Sequence, residues 1–499
     1  MSSKSAIMKP LLYSVLLAVG LFMGAYWTTW SARSGEVSKT KMEQIMSLVQ
    51  RAYVDSLDFE KVEESGIKSL LSSFDPHSVY IPANMVVAAN QDLKGGFDGI
   101  GLEFLVASDT PVVVRVLKDG PAQLSGLLSG DRLLRADTFT LTGLQNDDII
   151  ATLKGKKGSE VALLVYRKSN EKTFELKITR AAIKQPTVSG FRLNNQTAYI
   201  SILHFSEPTH QEFLSLIKSL QATGPLTQIV LDLRNNPGGY LQTSIALLDE
   251  FVDDNVLLAY TEGKNGKRKN YTAKKGGTCI NMDLVCLVNH YSASASEIFS
   301  GAIQDLDRGL ILGAPTYGKG LVQETFQLND GAQIRLTIAR YYIPSGRSIQ
   351  KPYDANGYVD LLDSNRKQDA KAKTFTTANG RAVVSNGGII PDVLMEDALE
   401  IGISRQNVSA VAIAIIDAHF AELAVIANQQ WMTNKHINAV IDKYAAGHDS
   451  SFKREVKYRL AYQILGDEAY NSLRIPEDPW VLKAINSFGT ISGILSGSR

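Results

Sequence analysis

The stretch from Asn289 to Gln323, NHYSASASEIFSGAIQDLDRGLILGAPTYGKGLVQ, limits the fold more than any other part of the chain. It follows the short apolar run Leu284-Val285-Cys286-Leu287-Val288, which predicts a buried strand. Small residues come next, Ser292-Ala293-Ser294-Ala295-Ser296. From Glu297 onward the apolar positions Ile298, Phe299, Ala302 and Ile303 fall at helical spacing. A row of serines therefore sits at a strand-to-helix turn. A hydroxyl is exposed there, and the amides of a first helical turn have no intrahelical acceptor. Those are two parts of an acyl-transfer site, a nucleophile and an oxyanion binder. The third part is a base. Thr316-Tyr317-Gly318-Lys319-Gly320 holds one lysine between two glycines, after the apolar strand candidate Leu310-Ile311-Leu312. Glycines let a backbone approach its neighbour closely, and burial lowers a lysine pKa by disfavouring the ammonium. Gln323 lies four residues further on and can hold the amine by a hydrogen bond. Taken alone, the glycine-flanked lysine reads more simply as a solvated hairpin tip; the whole constellation argues against that.

These blocks resemble the carboxyl-terminal processing peptidases, or tail-specific proteases, of bacteria and plastids. Their signature is S-A-S-A-S-E followed by G-x-x-T-[FY]-G-K-G-x-x-Q, and both occur here in order. The resemblance implies an α/β multidomain protein: a ClpP/crotonase-like α/β catalytic core with an inserted PDZ domain, an N-terminal membrane helix and helical arms. In that family the nucleophile is the serine after the first Ser-Ala pair, 25 residues before the lysine, which here selects Ser294 over Ser292 and Ser296. A Ser294–Lys319 dyad with Gln323 orienting the lysine is thus implied. Ala314 departs from the pattern, since many relatives carry glutamate there, and this alters what surrounds Lys319. The strand candidate Gln228 to Leu233 runs into Arg234-Asn235-Asn236-Pro237-Gly238-Gly239 before another helix, leaving backbone amides free for a ligand. As a phosphate loop it is weak, because no lysine follows the glycines. Its resemblance to L-D-L-R-x-N-x-G-G implies an oxyanion hole made by the Gly239 or Gly238 amide and the Ala295 amide. Phe74-Asp75-Pro76-His77-Ser78-Val79-Tyr80 resembles L-D-P-H-S-x-Y, with Phe74 for leucine. Proline makes it a loop, and a structural role for His77 in that turn is preferred to a catalytic one.

Residues 95–182 read as a separate module. Phe97-Asp98-Gly99-Ile100-Gly101-Leu102-Glu103-Phe104 joins a glycine loop to an apolar strand, and Pro111 to Leu117 is strand-like. With Gly120-Pro121-Ala122, Ser125-Gly126-Leu127 and Gly130-Asp131 this resembles the PDZ pattern. Gly99 opens the peptide-binding loop, where successive amides at Ile100, Gly101 and Leu102 can form a nest for a chain-terminal carboxylate, and the tail would then add as a strand. A helix near Asn146 to Lys154 would close that groove.

The 499 residues leave room for two to four domains. Net charge is +1, with 52 basic and 51 acidic residues, and gives no support for nucleic-acid binding. The two cysteines, Cys279 and Cys286, make no disulfide scaffold; their redox state is open, and Cys286 reads as a core residue. Lys4 and Lys9 precede an uncharged segment from Pro10 to Ala32, apolar from Leu11 to Trp27 and followed by Trp30. Its length and aromatics suit an uncleaved membrane anchor rather than a signal peptide, whose cleavage site is matched only weakly by Ala32-Arg33-Ser34. Either reading places the body outside the cytoplasm, in the periplasm for a single-pass anchored protein. Residues 1–36 are then the anchor, 37–94 a helical region, 95–182 the PDZ module, 183–397 the protease core and 398–499 a C-terminal helical domain. Lys351 to Asn386 is polar and lysine-rich and is expected to be a surface excursion. No H-E-x-x-H or paired cysteine set supports a metal, and nothing calls for a cofactor. His290, four residues before Ser294, offers a Ser–His scheme that leaves the lysine block unexplained. The expected function is a serine endopeptidase that takes proteins by apolar C-terminal tails; a non-catalytic PDZ adaptor is the alternative. A homo-oligomer and a regulatory adaptor stay open as partners.

Overall fold

The computed structural model describes residues 13–26, 40–274, 276–352, 373–385, 387–396, 405–426 and 430–496. Residues through Ser73 form one compact unit, and Phe74 onward a second.

In the first unit, Tyr13–Tyr26 is an apolar helix; residues 10–12 and 27–32 of the expected anchor lie outside the described residues. Helices Lys41–Ala52 and Phe59–Ser72 follow, separated at residues 53–58. Thr40 and Glu43 cap the former reciprocally, and Asp58 caps the latter.

In the second unit, residues 102–179 form an antiparallel sheet in the order Leu102–Ala107, Thr110–Val116, Arg132–Ala136, Glu160–Arg167, Lys172–Thr179. Helix Asn146–Leu153 packs Ile149 and Leu153 into its core beside Val113, Leu133 and Leu163. The strands that enter and leave this module, Gly96–Gly99 and Ala181–Lys184, pair antiparallel with each other, Gly96 opposite Lys184.

The core is a six-stranded sheet in the order Val188–Arg192, Thr197–Ile202, Gln228–Asp232, Asp283–Val288, Leu310–Gly313, Val393–Leu394. The first pair is antiparallel and the rest are parallel. A parallel sheet buries both faces, which is why Leu284 to Val288 carries no polar residue. Leu284, Cys286 and Val288 face a core with helices Thr209–Ala222, Leu241–Asp249 and Ala295–Asp305. Val285 and Leu287, one step out of phase, face Trp480, Val481 and Ala484 of helix Pro479–Ser487. A second sheet joins Val79–Ile81, Gln333–Tyr342, Leu257–Gly263 and Arg268–Thr272, with Leu321–Gln327 also paired to Gln333–Tyr342.

Two sequence expectations change. Within the expected surface excursion, Lys373–Thr376 and Ala382–Ser385 form a hairpin. It is docked by Arg381, which pairs Asp307 and Asp392, and Val383 is buried; residues 353–372 lie outside the described residues. The apolar spacing predicts helices over 410–427, 434–444 and 452–465; the structure has Arg405–Ala424, Lys435–Tyr444 and Ser450–Leu465, and Asp467–Arg474, Pro479–Ser487 and Ile491–Leu495 follow. The stretch Gln406–Ala424 is long and apolar enough to cross a membrane. Its Val408, Ala412, Ile415, Ile416 and Leu423 are spent on the core of the C-terminal helices.

Candidate active site and peptide groove

Ser294 closes the turn after strand Asp283–Val288 and is the N-cap of helix Ala295–Asp305. Its backbone holds φ +56° and ψ −113°, outside the regions an L-residue favours. The turn is laced to the loop after strand Gln228–Asp232. The Ala293 amide and the Ser296 hydroxyl both donate to the Asn236 carbonyl, at 3.0 Å each. The Ser292 hydroxyl donates to the Leu233 carbonyl at 2.7 Å, and the Asn235 amide to Asn289 Oδ1 at 2.9 Å.

Glu297 is fully buried and binds the serine turn to the lysine loop. Its Oε2 accepts the Ser294 amide and the Lys319 amide, both at 2.9 Å. Its Oε1 accepts the Thr316 hydroxyl at 2.6 Å and the Gly318 amide at 2.7 Å. Burial raises the Glu297 pKa, and these four donors pull against that rise. The sequence reading missed this residue, although Ser294-Ala295-Ser296-Glu297 carries the S-x-x-E capping-box signal.

The Lys319 amine is half-buried and donates to Gln323 Oε1 at 2.8 Å. Gln323 Nε2 donates in turn to the His77 carbonyl. The His77 loop is tied by Asp75, whose Oδ1 accepts the His77 and Ser78 amides at 2.8 Å and whose Oδ2 accepts the Ser78 hydroxyl at 2.7 Å. Desolvation, and then the Arg335 cation, lower the Lys319 pKa; Asp75 and Glu297 oppose them. Desolvation, and then the Lys319 charge, push His77 down to about 4. Burial drives the Tyr341 phenol upward, and the Ser294 side chain opposes that rise. Among the described residues no hydrogen bond joins the Lys319 amine to the Ser294 hydroxyl. The His290 ring lies against Tyr291, with centroids 4.7 Å apart.

The two glycine candidates separate. The Gly238 amide donates to Asn236 Oδ1 at 2.9 Å. Neither the Gly239 amide nor the Ala295 amide has a protein acceptor among the described residues. Gly238 sits hard against the serine turn: a Cβ there would lie 2.6 Å from the Ala293 carbonyl oxygen and 2.9 Å from the Ser294 Cβ.

Gly99, Ile100, Gly101 and Leu102 line an apolar groove of about 370 Å³, together with Ile150 and Leu153 of helix Asn146–Leu153. The Ile100 and Gly101 amides have no protein acceptor among the described residues. Lys154 also lines the groove, 5.0 Å from the Phe97 ring centroid, and donates to Gln91 Oε1 at 2.6 Å. In the sequence it marked only the end of a helix.

Peptidase family S41 matches residues 196–356, and the PDZ domain family matches residues 99–178. A carboxy-terminal-processing protease of Bartonella bacilliformis is 34% identical over 309 residues, 61% of this chain and 71% of that protein. The carboxy-terminal processing protease CtpB of Bacillus subtilis is 31% identical over 319 residues, 62% of this chain and 65% of its own length. Among solved structures, a photosystem II D1 C-terminal processing protease is 25% identical, covering 71% of this chain and 92% of that one, with a TM-score of 0.39.

Proposed function

Because this chain belongs to peptidase family S41, the carboxy-terminal processing serine proteases, we propose that it cleaves exported proteins captured by apolar C-terminal tails, with Ser294 as nucleophile and Lys319 as base. The observation that carries the assignment is the Glu297 carboxylate, which fastens the Ser294 and Lys319 amides to one oxygen atom. The free Gly239 and Ala295 amides beside it supply donors for a developing oxyanion, each worth a few kcal/mol in the transition state. We read the parallel sheet and its flanking helices as a ClpP/crotonase-like core.

A tail carboxylate is received by the Ile100 and Gly101 amides, beside the Lys154 cation, and its apolar side chains fill the groove along Ile150 and Leu153. The Ser294 hydroxyl gives its proton to the neutral Lys319 amine. Its oxygen bonds to the scissile carbonyl carbon, and the Gly239 and Ala295 amides hold the resulting anion. The ammonium then protonates the leaving amine as the C–N bond breaks. Water, deprotonated by the same amine, releases the acyl group. Gln323 keeps the amine oriented from the side opposite its proton transfer. Tyr13–Tyr26 is the described part of a single-pass anchor that holds the body outside the cytoplasm.

Incubation of the full chain with a loosely folded protein bearing an apolar tail tests this. Cleavage is expected, and its loss in both Ser294→Ala and Lys319→Ala with tail binding retained. Undiminished cleavage by Ser294→Ala sinks the assignment.

A further inference from the structure

Arg234 stands in the loop between strand Gln228–Asp232 and Gly239, yet its guanidinium is held by the C-terminal helices. Nη1 pairs with Asp478 Oδ2 at 2.9 Å, and the guanidinium lies 5.4 Å from the Trp480 ring centroid. On its other side Nη2 meets Asp232 Oδ2 at 2.6 Å and Nε meets both Asp232 oxygens at 3.0 Å. Asp232 also accepts the Tyr199 phenol at 2.8 Å and the Arg234 amide at 2.9 Å. Asp232 is 4% exposed and Trp480 6%, and the Arg234 and Asp478 side chains are mostly covered, at 17% and 15%. Asp478 is bivalent. Its Oδ1 caps helix Pro479–Ser487 by accepting the Trp480 amide at 2.8 Å and the Val481 amide at 3.3 Å, which leaves Oδ2 for the arginine.

An apolar contact would have sufficed to bury this helix on the sheet, since Val481 and Ala484 already do so. A desolvated cation shared between two carboxylates costs more and fixes geometry more tightly. The part it fixes is the start of the Gly-Gly loop. Asp232 turns the chain at Arg234, Asn235 follows at φ +60°, and the loop runs on against the serine turn at Asn236 and Gly238, with Gly239 next. Reacting groups need positioning to about half an ångström, and that precision comes from residues behind them.

We propose that Asp478 is a positioning residue for the hydrolytic step: through Arg234 it sets the loop whose Gly239 amide meets the oxyanion. This rests on the Ser294 and oxyanion-hole reading above. The C-terminal helix is then part of the catalytic machinery and not merely a cover for the sheet.

The test compares the full-length wild type with Asp478→Asn, which keeps a helix cap and removes the charge. Expected are a kcat reduced about tenfold, KM and tail-peptide affinity within twofold, and an apparent affinity for a peptidyl boronate, whose adduct places an oxygen in the oxyanion site, reduced by a similar factor. Asp478→Glu should recover most of the lost kcat. The double variant Arg234→Met/Asp478→Asn should be no slower than Arg234→Met alone, because the two act in series. Should Asp478→Asn melt far below wild type, Asp478→Ser, another capping residue, is measured instead. An unchanged kcat, a loss shared equally by KM and tail binding, or additive losses in the double variant overturn the proposal. The outcomes stay separable: active Ser294→Ala removes the underlying reading, whereas inactive Ser294→Ala with fully active Asp478→Asn removes only this one.

Discussion

A serine at φ +56° and ψ −113° costs about 1–3 kcal/mol of backbone strain, and such strain persists only where neighbours overdetermine it. Glu297 does much of that work here, with four donors on one carboxylate. Replacing it by alanine strands those donors in a closed space. We expect Glu297→Ala to lose at least about 3 kcal/mol in denaturant unfolding and all peptidase activity. The lysine makes a separate prediction. Its folded pKa is lowered, so the neutral amine appears below the ordinary lysine range, and kcat/KM should rise with pH through that lowered value. His77, at about 4, stays neutral throughout and adds no inflection above pH 6. The sign also holds for stability. The unfolded chain binds the lysine proton more tightly, so stability rises with pH between the lowered folded value and the unfolded one. Lys319→Met should therefore raise the unfolding midpoint more at pH 6 than at pH 10. A pH-rate profile flat from neutral to alkaline, or an equal shift at both pH values, counts against the buried amine.

At the level of elements, the site is two strand-to-helix turns sewn together, and Gly238 is where they touch. Gly238→Ala adds a methyl against the Ala293 carbonyl at φ +101°, so the turns must part. A loss of about 10²–10³ in kcat/KM is expected, the size of one missing oxyanion donor, with tail-peptide affinity intact. In the groove, Lys154→Ala should weaken a tail peptide about fivefold and leave its C-terminally amidated form unaffected, as titration calorimetry can show. Both turns were legible in the sequence because they are local: an apolar run, small residues, then helical spacing. Strands Leu257–Gly263 and Arg268–Thr272 were not. Their TEGKNGKRKNYT junction is polar and mostly exposed, and what makes it a hairpin is pairing with Gln333–Tyr342, far along the chain. Which glycine amide was free was also hidden, since it depends on where the Asn236 side chain turns.

Across the second unit as a whole, the C-terminal helices grip the PDZ module by charge. Arg132 Nη2 meets Asp417 Oδ2 at 2.7 Å, and Asp417 is 8% exposed. Arg115 bridges Glu103 and Asp467, and the Tyr462 phenol donates to Glu103 at 2.6 Å. Asp417→Ala leaves Arg132 and Lys168 without their anion and should cost about 3 kcal/mol, read as a lower denaturant midpoint. An unmoved midpoint would show the contact to be dispensable. None of this was visible beforehand. Helical stripes such as Val408, Ala412 and Ile415 announce burial but not the surface that supplies it, and ion pairs between distant segments leave no periodic trace. The Ser294 and Lys319 blocks were readable, and so was the hydrogen bond from the amine to Gln323; that Gln323 reaches on to the His77 carbonyl, in a loop far along the chain, was not.

One pairing has a further consequence. Strands Gly96–Gly99 and Ala181–Lys184 run side by side, so the chain leaves the PDZ module next to where it entered. Such an insertion behaves as a cassette. A foreign domain whose own ends are adjacent can be grafted onto that two-stranded stalk without interrupting either sheet of the core.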